Sequence, residues 1–216
     1  MIEMVDASVW LPLVGAFVVG ALALGVIYLR EERQRVQSLQ DWAAKNGWRY
    51  TKGGPLAWRS RLPSGTIIGA TLTGTVDGRP VTIAEFRYSS GAKDSATNHA
   101  VAVLVLIDGR HPPVDVDRRG MFSKLGRSLL GDRPTATGNE AFDAEFRISA
   151  ADPNYARLLV GPPLMAAHLD GSVPWWSVDG NGLLTWHHGR VKDPGTVPTV
   201  AAPLIRVAEL LGRREA

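Results

Sequence analysis

The chain has 216 residues, of which 45% are hydrophobic and 21% charged, and this excludes wholesale disorder and suits one domain with its own core. A net charge of +3 is too weak by itself to indicate a nucleic-acid partner. The sequence contains no cysteine, which excludes disulfides, thiolate metal sites and cysteine nucleophiles.

The first predicted element is an uncharged apolar segment from Val9 to Leu29. As a helix it would be about 30 Å long, the thickness of the hydrocarbon core of a bilayer. Trp10 and Tyr28 lie near its two ends, where aromatic side chains meet the lipid headgroups. Glu3 and Asp6 precede it without any Lys or Arg, which favours an uncleaved anchor over a cleaved signal peptide. We therefore predict a single-pass membrane protein.

Basic residues beside this segment predict its orientation. Arg30, Arg33 and Arg35 follow it at the membrane interface, and no Lys or Arg precedes it. Because the basic flank of a span stays in the cytoplasm, we expect the N-terminus outside and the C-terminal domain cytoplasmic. An external domain tethered near the membrane is the alternative.

Small residues within the segment indicate that it could contact another helix as well as membrane lipid. Two pairs have the small-xxx-small spacing that lets helices approach closely. They are Ala16 with Gly20 and Ala21 with Gly25. Self-association or a protein partner at the span is therefore a hypothesis, whereas no nucleic acid is expected.

The domain organisation follows from this reading. Residues 1–29 form the tail and transmembrane helix, residues 30–47 a juxtamembrane helix or stalk, and residues 48–216 a globular α+β domain. In the stalk, Val36, Leu39 and Ala43 recur at helical spacing, and Gly47 is a natural C-terminal stop.

The first half of the domain predicts an antiparallel sheet. The β-rich runs Thr66–Val76 and Val81–Tyr88 flank Asp77-Gly78, the strongest short-range hairpin signal. The continuous apolar run Ala100–Ile107 is typical of a central strand.

The second half predicts helices mixed with strands, giving one α+β domain with an antiparallel sheet of five to seven strands and packed helices. The elements in chain order are a loop at His111–Pro113, a helix at Arg119–Leu130, a strand at Phe146–Ser149, a helix from Asp152-Pro153 through Leu159, helical turns up to Leu169, a hairpin of Trp175–Val178 with Leu183–His188, and a closing helix at Val200–Leu211.

No phosphate-binding, nucleophile-elbow, zinc-helix or dinucleotide motif occurs in the sequence, so we expect no cofactor and no metal. The weak catalytic candidates are His99, His187 and His188. Adjacent residues of a regular strand point to opposite faces, so His187 and His188 cannot bind one metal together. Structural or exposed histidines are the alternative interpretation.

Two further patterns indicate binding surfaces. Trp175 and Trp176 also point to opposite faces, so one should be core while the other is a candidate surface aromatic. The segment Arg118–Leu130 forms a basic amphipathic pattern that could lie on anionic lipid, or be an ordinary surface helix. Its possible lipid-surface residues are Arg118, Arg119, Met121, Phe122, Lys124 and Arg127.

Several stretches resemble actinobacterial single-span membrane-anchored proteins of unknown function, often labelled hypothetical, secreted or membrane proteins. The resemblance is carried by Leu39–Tyr50 (LQDWAAKNGWRY), Asp77–Pro80, Asn139–Ser149 (NEAFDAEFRIS) and Leu183–Arg190 (LLTWHHGR). It implies a shared architecture and no activity, ligand or catalytic residue.

The leading hypothesis is a non-enzymatic binding or scaffold module held at the membrane. The alternative is a membrane-anchored enzyme, a hydrolase with a histidine-containing site. An enzyme needs titratable groups that converge in a concave site, so geometry distinguishes the two.

Overall fold

The computed structural model describes residues 7–89, 97–120 and 135–213. Within the first helix, the described side chains are those of residue 20 and of residues from 23 onward. The chain divides into two compact units, Met1–Asp41 and Trp42–Ala216.

Helix α1 runs from Ala7 to Lys45, and the boundary between the two units falls within it, after Asp41. The aliphatic and tyrosine side chains between Leu24 and Leu29 are more than half exposed. Most side chains of the predicted span Val9–Leu29 lie outside the described residues, and so do those of Trp10, Ala16 and Ala21.

No helix in the described part of the chain is long and apolar enough to cross a membrane.

The second unit contains a six-stranded antiparallel sheet, which agrees with the predicted mixed fold. The strands run in the order β1-β2-β3-β4-β5, and β6 pairs with β4 along its other side. Strand β4 pairs first with β3 and then with β5 as it proceeds. The strand bounds are β1 Arg49–Lys52, β2 Ile67–Val76, β3 Arg79–Ser89, β4 Thr97–Arg118, β5 Phe146–Ala150 and β6 Trp176–His188.

Helices lie against this sheet. The longest of them in this unit, α5 (Val197–Leu210), packs on β2, β3, β4 and β6 through a buried apolar stripe. Among the described residues there are three shorter helices: α2 (Glu140–Glu145) and α3 (Pro153–Leu159) contact β5, and α4 (Pro162–Leu169) contacts α2 and α5. The Asp152 carboxylate caps α3 by accepting from the amides of Asn154 and Tyr155.

The predictions that rest on local turn chemistry are confirmed. Asp77 and Gly78 both have positive φ values, 49° and 75°, and they turn β2 into β3. Helix α3 begins at the proline after Asp152. The closing helix begins three residues earlier than predicted, at Val197.

Two predictions of local structure are wrong. Trp175–His188 is not a hairpin, because β6 continues through Asp179–Gly182 as one strand along β4. His111–Pro113 is not a loop, because it lies inside β4, where the pairing with β6 is irregular. The predicted helix Arg119–Leu130 falls outside the described residues from residue 121 onward.

A close contact between Gly74 of β2 and Trp48 yields a first prediction. A Cβ atom on Gly74 would lie 2.3 Å from Trp48 Cδ2, far inside van der Waals contact. We expect Gly74→Ala to lower the free energy of unfolding by about 1–3 kcal/mol in urea titrations. The matched control is Gly69→Ala on the same strand, where the nearest atom would lie 3.4 Å away. Equal losses in both variants would contradict this account.

Candidate functional site

The long strands β4 and β6 change direction together. Their pairing is irregular between residues 106 and 114 of β4, where Gly109 and, opposite, Gly180 have φ values of 79° and 58°. His111 Nε2 lies 3.2 Å from the carbonyl oxygen of Asp108, which can only accept a hydrogen bond, so the ring proton is assigned to Nε2. His111 Nδ1 then accepts from the Tyr155 hydroxyl at 2.6 Å. These contacts hold the irregular segment against α3.

Five aromatic side chains gather on one face of this sheet. Trp186 lies at the centre, and the ring centroids of the other four lie 5.3–5.9 Å from its own at interplanar angles of 71–84°. These are the edge-to-face arrangements that aromatic pairs favour. One of the five rings is buried, three are half-buried and one is exposed. We call the set the aromatic patch: Phe86, Tyr88, Trp175, Trp186 and His188.

The two adjacent tryptophans separate as the strand alternation predicts. Trp176 is fully buried, and its indole N–H donates to His168 Nε2 at 3.0 Å. Trp175 is half-buried and packs against Trp186 in the aromatic patch. The prediction of one core and one surface tryptophan is therefore confirmed.

Residues 53–66, which we call the strap, cross the same face of the sheet. Leu62 is buried among Phe86, Leu104 and Leu184, and Trp58 packs against this cluster. Seven residues in the second half of the strap line an open depression of about 460 Å³. These residues are Arg59, Ser60, Leu62, Pro63, Ser64, Gly65 and Thr66.

The side chain of Arg61 connects the strap to β6 by hydrogen bonds. Its guanidinium donates to the Gly182 carbonyl oxygen at 2.9 Å and to the Ser177 carbonyl oxygen and Oγ at 2.7 and 2.8 Å. A side chain at position 182 would crowd this contact, because a Cβ there would lie 3.3 Å from Arg61 Nη1. Glycine at 182 therefore allows the guanidinium to approach the strand.

An acidic residue of β4 lies beside this contact. Asp115 is the cross-strand partner of Ser177, so both side chains point to the same face. Burial raises the pKa of Asp115 to about 6, and repulsion from Asp117 and Asp179 adds to the rise, whereas Arg61 opposes it. Asp115 therefore keeps its proton to a higher pH than an exposed aspartate does.

The three candidate catalytic histidines do not all meet. His187 pairs with Val101 and His188 with Ala100, so these neighbours point to opposite faces of the sheet. His99 lies two residues from Val101, on the same face as His187. Partial burial lowers the pKa of His187, and His188 lowers it further. His188 instead belongs to the aromatic patch.

His168, at the end of α4, lies in the core rather than at a site. Rings of Phe142, Phe146 and Trp176 surround it at centroid distances of 4.9–6.5 Å. Burial lowers its pKa to about 4, with Asp170 acting in the opposite sense, so it is neutral near pH 7. Within the described ranges, no group of three or more His, Asp or Glu residues is arranged to hold a metal ion.

Two of the predicted lipid-surface residues, Arg118 and Arg119, are described by the structure, and both contact other groups of the protein. Arg118 Nη2 lies 3.2 Å from Glu145 Oε2, and Arg119 Nε donates to the Asp143 carbonyl oxygen at 2.7 Å. Met121, Phe122, Lys124 and Arg127 lie outside the described residues. In α1, Arg35 pairs with Glu32 at 2.9 Å.

Sequence reasoning missed Arg61 and Asp115. Their contacts join residues far apart in the chain, Arg61 with Ser177 and Asp115 with its neighbours on β5 and β6. Neither contact leaves a local signal in the sequence, because each depends on strands that the sheet brings together.

Comparisons with known proteins give one informative likeness. No family model matches the chain, and no curated protein matches it. Among solved structures it is similar to the crystal structure of the mycobacterial trehalose monomycolate transport factor A, with a TM-score of 0.51 and 13% identity. The match covers 82% of this chain and 92% of that chain. At this identity the likeness shows the fold alone.

Proposed function

We propose that this chain is a membrane-tethered, non-enzymatic module that presents the aromatic patch to a protein partner at the inner face of the membrane. The observation that carries the proposal is the exposed apolar surface between Leu24 and Leu29 of α1. Contiguous exposed apolar side chains are unfavourable in water, and lipid would cover them. The uncharged sequence from Val9 onward extends the same surface toward the N-terminus.

The aromatic patch supports the binding half of the proposal. Half-exposed Trp and Tyr side chains that are fixed by their neighbours are enriched in interfaces, because they bury large areas with little loss of side-chain freedom. The fold is similar to that of a transport factor, and a non-enzymatic module is compatible with this analogy. The hydrolase alternative requires titratable groups that converge in a concave site, and the strand register leaves His99 and His187 on one face of the sheet and His188 on the other.

The tether and its direction are tested on the full chain in intact cells. We expect the protein to stay in the membrane fraction after an alkaline wash, since a spanning helix resists extraction. The chain has no cysteine, so Lys192→Cys, at an exposed position, gives a single reporter thiol. It should react with a membrane-impermeant maleimide only after lysis, whereas Ser8→Cys should react before it. Release by the wash contradicts the tether, and early labelling of Lys192→Cys contradicts the orientation.

The partner surface is tested with a photo-crosslinking amino acid at two adjacent positions. His188 and His187 are both exposed but lie on opposite faces of β6, so the second position is a matched control. In native membranes we expect a discrete heterologous product from position 188 and none from position 187. Equal products from both positions, or only the monomer from position 188, would contradict a partner at the aromatic patch.

A further inference from the structure

The strap carries two arginines that lie in different surroundings. The guanidinium of Arg61 donates to acceptors on β6 and interacts electrostatically with Asp115 and Asp179. Arg59 is exposed, and its Nη2 donates to the Thr66 carbonyl oxygen at 2.8 Å. Because a guanidinium has five N–H groups, one such bond leaves most of them unused. The other N–H groups of Arg59 have no acceptor in the described part of the chain.

Arg59 differs in this respect from other exposed arginines of the protein. Arg118 pairs with Glu145 at 3.2 Å, and Arg206 pairs with Glu209 at the same distance. The seven described residues that line the depression at Arg59 include no Asp or Glu. The positive charge in the depression is therefore not offset by a carboxylate of its lining, and this favours the binding of an anion.

Further hydrogen-bond donors line the same depression. Ser60 and Ser64 contribute exposed hydroxyl groups. The backbone N–H groups of Ser64 and Gly65 donate to no described residue. Arginine, hydroxyl and backbone N–H groups are the donors that proteins use to bind phosphate oxygens. The depression therefore combines all three kinds of donor in one short segment.

The turn that carries these donors is held in place by its own contacts. The Thr66 N–H and Oγ1–H both donate to the Pro63 carbonyl oxygen, at 3.2 and 2.6 Å. Gly65 has a φ of 73°, a conformation that glycine adopts at little cost. Leu62, at the start of the turn, is buried in the apolar cluster under the strap. A set of donors that is fixed in advance loses little conformational freedom when it binds a ligand.

We propose that this depression binds a phosphate group, carried by a small polar molecule or by a lipid. Its volume of about 460 Å³ exceeds that of a single phosphate and lies within the range of small-molecule pockets, about 300–1,000 Å³. Pro63 adds an apolar surface beside the donors, which suits the carbon atoms of a phosphate ester. The proposal requires neither the membrane tether nor the partner at the aromatic patch, so it is independent of both.

Titrations of the full chain in a non-ionic detergent test the proposal. Inorganic phosphate, and in a second series glycerol 1-phosphate, replaces sodium chloride at pH 7 and constant ionic strength. The resonances of the Ser64 and Gly65 amides and of the Arg59 Nε–H group are followed by NMR. We expect saturable shifts at these groups in both series. Shifts that grow linearly without saturation would overturn the proposal.

Matched variants assign the binding to the depression. Arg59→Gln changes an exposed side chain, so the fold should persist while the affinity for glycerol 1-phosphate falls about tenfold. Ser64→Ala removes one hydroxyl and should lower the affinity about threefold. Arg79→Gln makes the same change of charge at the opposite end of β2 from Ile67, and the affinity should stay the same. An affinity that Arg59→Gln leaves unchanged, or that Arg79→Gln lowers equally, overturns the proposal.

A third titration distinguishes the source of the phosphate. Phosphatidic acid is added to the detergent micelles in the absence of free phosphate. Saturable shifts with phosphatidic acid but not with glycerol 1-phosphate assign the site to a lipid headgroup, and the reverse assigns it to a soluble phosphate ester. Saturation by both probes supports recognition of the phosphate group itself. Binding of inorganic phosphate alone would show an adventitious ion only, and this result, like no saturable shift with any of the three probes, overturns the proposal.

Discussion

Replacing Trp176 by alanine should lower the free energy of unfolding by about 3–5 kcal/mol, the range for removing a large buried aromatic side chain. Trp176 is completely buried at the start of β6, beside Val116 of β4. Its loss leaves a cavity and also removes the donor to His168 Nε2. Urea titration followed by far-ultraviolet circular dichroism measures the change, because this signal does not depend on the deleted indole.

Two variants serve as controls for this prediction. Trp175→Ala removes the neighbouring indole, which is half-buried in the aromatic patch, so we expect a loss of about 1–2 kcal/mol. Trp176→Phe retains most of the ring volume and leaves His168 Nε2 without its donor, at a cost of about 1–3 kcal/mol. If Trp175→Ala were as harmful as Trp176→Ala, the assignment of core and surface tryptophans would be wrong.

The parts of the fold that the sequence predicts are those decided by neighbouring residues. Asp77-Gly78 turns β2 into β3 because both residues adopt positive φ, and this requirement is local. Asp152 begins α3 because its own carboxylate caps the helix and proline follows it. Helix α2 escaped prediction because it is only six residues long.

The wrong predictions concern residues whose structure depends on distant partners. Asp179–Gly182 has the composition of a tight turn, like Asp77-Gly78, yet it remains extended. The difference is β4, a 22-residue strand that pairs with both sides of this segment and leaves only Gly180 in a left-handed conformation. A non-local pairing of this kind overrides turn propensity.

The same reasoning explains what could be predicted of the candidate site. Alternation along a strand places Trp175 and Trp176 on opposite faces, so a surface aromatic could be predicted without the fold. The convergence of Trp175 on Trp186 could not, because it requires the change of direction at Gly180. The contact of Arg61 with Ser177 spans 116 residues and no local pattern encodes it.

His168 and Asp115, which lie on opposite sides of the sheet, should make the free energy of unfolding depend on pH in opposite directions. His168 has a folded pKa of about 4 against an ordinary 6.5, so the unfolded chain binds more protons between these values. The stability that its neutral form contributes is therefore lost as the pH falls from 6.5 to 4. The gap corresponds to about 3 kcal/mol.

Asp115 acts in the opposite sense over nearly the same range. Its folded pKa of about 6 exceeds the ordinary 3.8, so the folded chain binds more protons between these values. Stability is then gained as the pH falls and lost as it rises through 6. Because Asp115 remains partly accessible to solvent, we expect a contribution of about 2 kcal/mol rather than the full value of the gap.

In the natural chain the two pH dependences of the free energy of unfolding largely cancel, so each single variant should show the one that remains. Asp115→Asn should become more stable than the natural chain as the pH rises from 4.5 to 7.5, by about 2 kcal/mol. His168→Gln keeps an oxygen to accept from Trp176 and does not titrate, so its stability relative to the natural chain should rise by about 2–3 kcal/mol as the pH falls over the same range. The two sites share no partner, so the double variant should regain the natural profile. Urea titrations at each pH measure these differences. Slopes of the same sign in the two single variants would show that burial does not set the titration of these groups.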